Sequence, residues 1–379
     1  MPPMRFKIPL TLLSFLFLSV QGEVLGNEEP PAVPPVIRVA AVGDIMMGTD
    51  YPSPKLPKKD GRFLFEEAKG ILRKADIVFG NLEGPLLEGG FPARRAKDGE
   101  SYLFRTPPGF VRNLVDAGFN FVSLANNHAG DFGFQGLSST KKVLESAGIK
   151  YSSKEGEVAE FEVNGVTIGL VALSFGPPPR SIVYPEKALE EIGLLSQKYD
   201  LLILSIHGGK EGGTALRTED EFEYFLDEPR GNLVQFAHEA IEKGADLILA
   251  HGPHVPRALE IYEGRLIAYS LGNFCTYRGM SLEEEKGYAP LLWIDLGRSG
   301  EFVKGKIFSF IQLPPGSPKK DEEERAWTLI KKLSQEDFPE TSPYFDTSGT
   351  LLPREKTPEK DVLSPPFQEQ NTPTRTYGY

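Results

Sequence analysis

The most constraining feature of the sequence is a short apolar run that breaks off into two amides and an imidazole. Residues 119–124 predict a buried strand, and Asn126, Asn127 and His128 follow it almost directly. An amphipathic stretch over 134–147 comes next, so the order is strand, polar loop and helix. Ligands of open α/β sheets bind just outside the carboxyl ends of the strands. The loop therefore either binds a ligand or satisfies its own backbone.

Apolar runs of strand length alternate with helical stretches over most of the chain. The predicted strands are 36–42, 77–79, 119–124, 201–206 and 246–250, and the predicted helices are 63–74, 107–117, 134–147, 185–198 and 233–243. Two hairpins are expected around Asn164-Gly165 and Glu263-Gly264, because such dipeptides favour tight turns. The closing strands are 291–296 and 302–311. This order predicts an α/β fold, layered, with mixed central β-sheets flanked by helices.

Most of the predicted strand ends carry a side chain that ligates metals or forms hydrogen bonds. These side chains are Asp44, Glu83, Asn127 with His128, His207, His251 with His254, and Asn273. Because the ends of parallel strands converge on one edge of a sheet, we expect one shared cleft. Imidazole, carboxylate and carboxamide without thiolate suit a divalent transition metal, Mn, Zn or Fe, as one or two ions. The remaining histidine, His238, lies within a predicted helix and is expected to be structural.

The same residues suggest a division of chemical labour. Glu83 is placed to bridge two ions, and His128 to donate a proton to a leaving group, with Asp131 orienting it. The sequence contains no Gly-x-Ser-x-Gly elbow and no phosphate-binding glycine motif. The single cysteine, Cys275, excludes an intrachain disulfide and is expected to be an inert buried thiol.

Charge excludes one class of partner. The formal net charge is −11 and no run of Lys or Arg occurs, so no nucleic acid partner is expected. Arg94, Arg95 and Lys97 follow Glu83 in a glycine-rich loop. They either neutralise a polyanionic substrate or form a solvated loop, and the solvated loop is the simpler interpretation.

The two ends of the chain differ from its centre. Arg5 and Lys7 precede an apolar run over 8–20, and small residues follow, so 1–26 predicts a signal peptide. Secretion, or a periplasmic or cell-envelope location, is therefore expected, and an uncleaved anchor is the alternative. Residues 27–35 form a proline-rich spacer, and 312–379 predict a mostly flexible tail with one helix over 321–335.

The ordered set of motifs resembles the capsule-synthesis protein CapA family, which is associated with poly-γ-glutamate and looks like a branch of the calcineurin-like metallophosphoesterases. The matching segments are 41–46 (Ala-Val-Gly-Asp-Ile-Met), 80–83 (Gly-Asn-Leu-Glu), 125–133, 206–211, 244–254 and 269–274. They place a domain of this type over 36–311.

The resemblance implies site residues and partners. Asp44, Glu83, Asn127, His207, His251 and His254 fall where the superfamily keeps its metal ligands, and His128 falls where it keeps its acid. The other polar residues of the motifs, assigned to substrate binding, are Asn81, Asn126, Glu211 and Asn273. The implied partners are an anionic polymer or its precursor and a membrane-bound polymer synthase.

The motifs also depart from the superfamily pattern. Met46 stands where a ligating His is usual, Glu83 stands near where an Asp usually bridges, and Gly252 replaces a possible ligand. These departures favour one tightly bound ion, or a second that is bound weakly. Two functions follow as expectations: a metal-dependent hydrolase of a phosphoester or amide, or a non-catalytic accessory that binds the polymer or its synthase.

Overall fold

The computed structural model describes residues 36–93, 102–153, 156–347 and 349–354. The expected signal peptide, the spacer, the basic loop with Arg94, Arg95 and Lys97, and the last part of the expected tail lie outside the described residues. Among the described residues, no helix combines the length and apolar character needed to cross a membrane.

Strands dominate the described part of the chain. In chain order they are β1 (Ile37–Met46), β2 (Ile77–Leu82), β3 (Phe121–Ser123), β4 (Lys150–Ser152), β5 (Ala159–Val163), β6 (Val166–Ser174), β7 (Leu201–His207), β8 (Glu223–Phe225), β9 (Glu228–Gly231), β10 (Leu247–His251), β11 (Leu259–Tyr262), β12 (Arg265–Ala268), β13 (Asn273–Thr276), β14 (Tyr288–Leu296), β15 (Phe302–Leu313), β16 (Ser317–Lys320), β17 (Tyr344–Phe345) and β18 (Thr350–Leu352). The α-helices are α1 (Lys69–Leu72), α2 (Val111–Ala117), α3 (Gly133–Ser146), α4 (Glu186–Leu195), α5 (Leu233–Glu242) and α6 (Arg325–Asp337).

Two mixed sheets contain most of these strands. The first runs β17-β18-β15-β14-β1-β2-β3-β4, with β13 paired to the end of β1 and β16 paired to β15. Its strands β1 to β4 are parallel to one another. The second runs β11-β12-β10-β7-β6-β5, with β6, β7, β10 and β12 parallel. The predicted layered α/β fold with mixed sheets is confirmed.

The sheets pack face to face, with helices on their outer faces. Alternate side chains of β1 point to opposite faces of the first sheet. Val39 and Ala41 belong to the apolar cluster between the two sheets, whereas Ala40 and Val42 belong to the cluster under the helices. On the second sheet, Leu249 faces inward and Ile248 packs toward α4 and α5. Both faces are buried, which explains why these strands are continuous apolar runs.

This layering places the polar strand ends together. β1 and β2 of the first sheet and β7 and β10 of the second end on the same side of the sandwich. The expected cleft therefore joins the edges of two facing sheets, and not one edge of a single sheet. The ends of β1 and β10 are in contact, which brings Asp44 next to His251.

The structure differs from the sequence prediction in two segments. Over 63–74 only α1 (Lys69–Leu72) is helical, and the preceding residues form turns. In the segment expected to be mostly flexible, the helix expected over 321–335 corresponds to α6, which buries Ile330 against the inter-sheet core, and the unexpected strand β18 adds to β15. Ile330 and Leu351 are apolar positions within an otherwise polar stretch, so the average composition of that stretch conceals them.

Candidate metal centre

Asp44 is the centre of the polar cluster. Its carboxylate is fully buried near the end of β1, where the strand's pairing register is interrupted. One oxygen, Oδ1, accepts from Asn81 Nδ2 at 2.8 Å, and the other, Oδ2, lies 2.8 Å from His254 Nδ1. Burial works against ionisation, but the hydrogen bond and charge of His254 hold the pKa of Asp44 below its usual value. Asp44 is therefore a carboxylate at neutral pH.

Glu83 follows β2 and lies close to Asp44. Its side chain is fully buried, and Oε1 accepts from Asn81 Nδ2 at 2.7 Å. The other oxygen, Oε2, has no hydrogen-bond partner among the described residues. Burial and then the charge of Asp44 hold the pKa of Glu83 well above its usual value. A cation bound between Asp44 and Glu83 would lower the pKa of Glu83 again, because a nearby positive charge favours the ionised carboxylate.

His207 and His251 end the neighbouring strands β7 and β10, where they are paired directly across the ladder. His207 Nδ1 lies 3.6 Å from Glu83 Oε1, and His251 Nδ1 lies 3.6 Å from Asp44 Oδ1. Burial lowers the pKa of His207 well below its usual value and that of His251 to about 4. Both rings are thus neutral at pH 7, which is the form of imidazole that binds metals.

His254 lies at a turn with a φ of 58°. Burial lowers the pKa of His254, but the hydrogen bond and charge of Asp44 more than offset it and raise the pKa to about 9. His254 Nε2 lies 3.9 Å from Glu211 Oε2, so the ring stands between two carboxylates. His254 and Asp44 therefore form a hydrogen-bonded pair beside the neutral rings of His207 and His251.

The donor set fits a divalent ion. Asp44, Glu83 and His207 each offer a ligand atom within 4.8 Å of the others, and all three are buried. Unpartnered buried atoms surround them among the described residues, namely Glu83 Oε2, His207 Nε2, both ring nitrogens of His251, and Asn127 Oδ1. Buried polar atoms without partners are rare, so several in one place indicate a missing partner. Their chemistry, carboxylate with imidazole and amide oxygen, matches borderline transition metals.

The loop after β3 forms another wall of the centre. Asn126 Oδ1 accepts from the backbone N–H groups of His128 at 3.0 Å and Ala129 at 2.8 Å. His128 is buried, and its Nδ1 lies 2.9 Å from Asp131 Oδ2, which also accepts from Phe104 N. This arrangement leaves Nε2 of His128 as the ring nitrogen able to exchange a proton with a bound substrate.

Two sequence departures have structural explanations. Met46 is fully buried, its sulfur accepts from Gly48 N at 3.2 Å, and its methyl group packs against Gly279. Its side chain is thus engaged by these neighbours. Gly252 has a φ of 120°, and a Cβ there would stand 2.4 Å from Gly208 O. No side chain fits at Gly252, so that position offers no ligand.

The two remaining predicted residues lie at the edge of the cluster. Asn273 pairs with Asp44 in the ladder and donates to Lys286 O at 3.1 Å, while its buried Oδ1 has no partner among the described residues. Glu211 forms an ion pair with Arg230 at 2.7 Å.

Sequence reasoning missed Arg230. Its side chain is buried on β9, with the guanidinium 4.1 Å from the centre of the Phe175 ring, and that ring lies 6.0 Å from the ring of His207. Glu228 forms a second ion pair with Arg230 at 3.0 Å. The β8–β9 hairpin has no strong turn signal, and an isolated Arg beside acidic residues resembles ordinary surface sequence.

A cavity of about 500 Å³ adjoins this wall. Its lining combines residues of the His128 loop with residues that follow β6. They are Ala93, Leu124, Asn126, Asn127, Ala129, Gly130, Gly133, Phe134, Leu137, Ser153, Ser174, Phe175, Gly176 and Glu228. Its position beside Asn127 gives a bound molecule room next to the candidate metal centre.

Comparison with known proteins identifies the family. The family model described as bacterial capsule synthesis protein PGA_cap matches residues 38–278, well over half of the 379-residue chain. The chain belongs to this family. The PGA_cap match spans Asp44 to Asn273 and so includes every residue placed at the centre above.

Relatives of this PGA_cap chain share most of its length. It is 28% identical over 332 residues to the PGA biosynthesis protein CapA of Bacillus subtilis, covering 82% of each chain. It is 27% identical over 339 residues to a probable polyglutamine synthesis accessory protein of Mycobacterium tuberculosis, covering 74% of this chain and 85% of the relative.

Among solved structures, the chain is similar to the NAD nucleotidase NadN of Haemophilus influenzae. The likeness has a TM-score of 0.38 at 12% identity, and it covers 79% of this chain and 56% of the nucleotidase.

Proposed function

We propose that this protein acts in the synthesis or export of a capsule-type polymer, with poly-γ-glutamate as the first candidate, through a metal-dependent hydrolase site. The observation that carries the proposal is the convergence of unpartnered buried ligand atoms of Glu83, His207 and His251 beside Asp44. Two relatives, a PGA biosynthesis protein and a probable polyglutamine synthesis accessory protein, support this choice of polymer.

The chemistry follows from the residues. A divalent ion held by Asp44, Glu83, His207 and His251, with Asn127 beside them, would lower the pKa of a bound water and polarise the attacked group. His128 then protonates the leaving group from Nε2, because Asp131 holds the Nδ1 side of the ring. A phosphoester and a γ-glutamyl amide both suit this arrangement, since each needs a nucleophile on one side and an acid on the other.

The experiment compares two substrate classes on protein loaded with Mn²⁺ or Zn²⁺. p-Nitrophenyl phosphate and bis-p-nitrophenyl phosphate report phosphoester cleavage, and γ-glutamyl oligomers report amide cleavage. We expect hydrolysis of one class, with kcat at least about a hundredfold lower in His128→Ala, which is the usual loss on removing a general acid. His238→Ala is the matched control, because His238 lies on α5 outside the candidate metal centre. Its ring is hydrogen-bonded to Glu260 on β11. If the metal-loaded protein hydrolyses neither class of substrate, the proposed hydrolase activity is refuted.

A non-catalytic accessory role is the second candidate. The buried and engaged side chain of Met46 favours it, because this position adds no ligand to the centre. That role predicts that His128→Ala and His207→Ala leave polymer yield in producing cells unchanged. A loss of yield with either variant at normal protein levels would exclude it.

The proposed location is outside the cytoplasm or in the cell envelope. The support is the sequence order of Arg5, Lys7 and the apolar run over 8–20. N-terminal sequencing of protein recovered from the envelope or medium is expected to begin after Gly22 or Gly26. An intact N-terminus on cytosolic protein would contradict export.

A further inference from the structure

The side chain of Asn81 lies between the two carboxylates of the candidate metal centre. Its Nδ2 stands 2.8 Å from Asp44 Oδ1 and 2.7 Å from Glu83 Oε1. It also lies 3.4 Å from His207 Nδ1. Asn81 is fully buried, so bulk water does not reach it, and within the described part of the chain this end of the amide has only these partners. Which atom of the amide points inward therefore decides what the centre can hold.

Asn126 determines that orientation. The Oδ1 of Asn126 accepts two backbone N–H groups, from His128 at 3.0 Å and Ala129 at 2.8 Å. Its NH2 group therefore faces the other way, where it donates to Leu82 O at 2.9 Å and to Asn81 Oδ1 at 3.0 Å. If the Asn126 amide were turned over, its NH2 group would face the backbone N–H groups of His128 and Ala129, and its oxygen would face the carbonyl oxygen of Leu82. Both contacts would be repulsive, so the amide has a single favourable orientation.

The orientation of Asn81 follows from that of Asn126. Because Asn126 presents a donor, Asn81 has to present its oxygen to it. The NH2 group of Asn81 consequently points at Asp44 and Glu83 and donates one hydrogen to each carboxylate. A flipped Asn81 would place two donors against each other at one end and three oxygens against one another at the other end.

An amide NH2 group offers no lone pair to a cation. Asn81 thus fills the space between the two carboxylates with a donor, and a ligand that bridges two ions is missing there. Asp44 Oδ2 is already engaged by His254 at 2.8 Å. The ligand atoms of Glu83, His207 and His251 left without partners among the described residues are Glu83 Oε2, His207 Nε2 and both ring nitrogens of His251.

We propose that Asn81, held by Asn126, restricts the centre to a single divalent ion, and that Asn126 acts as a positioning residue through Asn81. The inference rests on the metal site of the proposed function. It states how many ions that site accepts and which residues set the number. Asn81→Asp would replace the donor with a carboxylate of the same shape and supply the bridging ligand.

The test measures Mn²⁺ binding to the full chain by equilibrium dialysis with metal analysis, together with the electron paramagnetic resonance spectrum of the bound ion. The wild-type protein is expected to bind about one Mn²⁺ with an isolated six-line spectrum. N81D is expected to bind about two, with the broad spectrum of two coupled ions. N120D is the matched control, because Asn120 also links strands through its amide but lies away from the centre, with bonds to Val78 N and Asp76 O. It is expected to bind one.

N126D tests the positioning role separately. Its second carboxylate oxygen faces Asn81 Oδ1 and drives that amide to turn, so that an oxygen replaces the donor at the centre. We expect Mn²⁺ affinity to rise about tenfold, the size of effect usual for groups that orient ligands. An unchanged affinity in N126D would contradict that role.

The possible failures are distinguishable. Two coupled ions in the wild-type protein, or one ion in folded N81D, would overturn this inference and leave the proposed hydrolase intact. Absence of both bound Mn²⁺ and bound Zn²⁺ in the wild-type protein, dialysed against each ion in turn, would refute the proposed function itself, and the inference with it. The wild-type spectrum decides the ion number even if N81D does not fold.

Discussion

The buried ion pair between Arg257 and Glu223 gives the sharpest prediction about stability. Arg257 is fully buried and Glu223 is 6% exposed. The guanidinium donates to both carboxylate oxygens, at 2.8 and 2.7 Å, and its Nε donates to Ala215 O at 2.6 Å. Glu223 Oε2 also accepts from the backbone N–H of Lys210 at 3.1 Å. The pair therefore fastens the loop that carries Glu211 toward His254.

Glu223→Gln keeps the shape of the side chain and removes its charge. Because this leaves a buried guanidinium uncompensated, we expect a loss of about 3–5 kcal/mol in the free energy of unfolding. That is a large share of the roughly 5–15 kcal/mol available to a native protein. With an unfolding entropy of about 2 cal/mol/K per residue, the melting temperature should fall by about 4–7 °C.

Urea unfolding followed by circular dichroism measures this loss. Asp116→Asn is the control, because its ion pair with Arg73 has side chains 56% and 49% exposed, and such pairs contribute about 0.5 kcal/mol or less. The double variant E223M/R257M should be more stable than either single Met variant, since no charge is left unpaired. An unfolding free energy of Glu223→Gln within about 1 kcal/mol of wild type would refute the reasoning.

Three further predictions concern titration, reactivity and catalysis. In chelator-treated protein, the pKa of about 4 for His251 lies below that of the unfolded chain, so the stability that neutral His251 contributes is complete above pH 6.5 and lost toward pH 4. The loss, about 3 kcal/mol, should appear in melts between these pH values, and equal melting temperatures at pH 5 and pH 7 would contradict it. Burial holds the pKa of Cys275 far above its usual value, so iodoacetamide should label it only after unfolding, and labelling of the native protein at pH 8 would refute its burial. Asp131→Asn should lower kcat by about 10- to 100-fold with KM little changed, because it disturbs the orientation of His128, and an unchanged kcat would remove that role.

Local pattern was sufficient to predict much of the fold. The turn dipeptides Asn164-Gly165 and Glu263-Gly264 join β5 to β6 and β11 to β12, as expected. The runs that became β7 and β10 are apolar on both faces because both faces are covered. Their length and their glycine boundaries identified them as buried strands.

Long-range geometry could not be predicted in the same way. Periodicity does not say which strands share a sheet, so the meeting of two sheet edges at Asp44 and His251 was expected as one edge. Arg230 reaches the centre through the tertiary position of the β8–β9 hairpin, which leaves no local signal. The orientation of the Asn81 amide depends on backbone groups of His128 and Ala129, and sequence spacing contains no information on it.

Metal content tests the central claim most directly. Protein purified without chelators should contain about one equivalent of a divalent transition metal per chain by elemental analysis. His207→Ala should lose most of that metal while remaining folded, because His207 lies with Asp44 and Glu83 in the buried ligand group. His238→Ala should retain it. A wild-type protein without transition metal, or a His207→Ala variant that keeps the full wild-type content, would contradict the account.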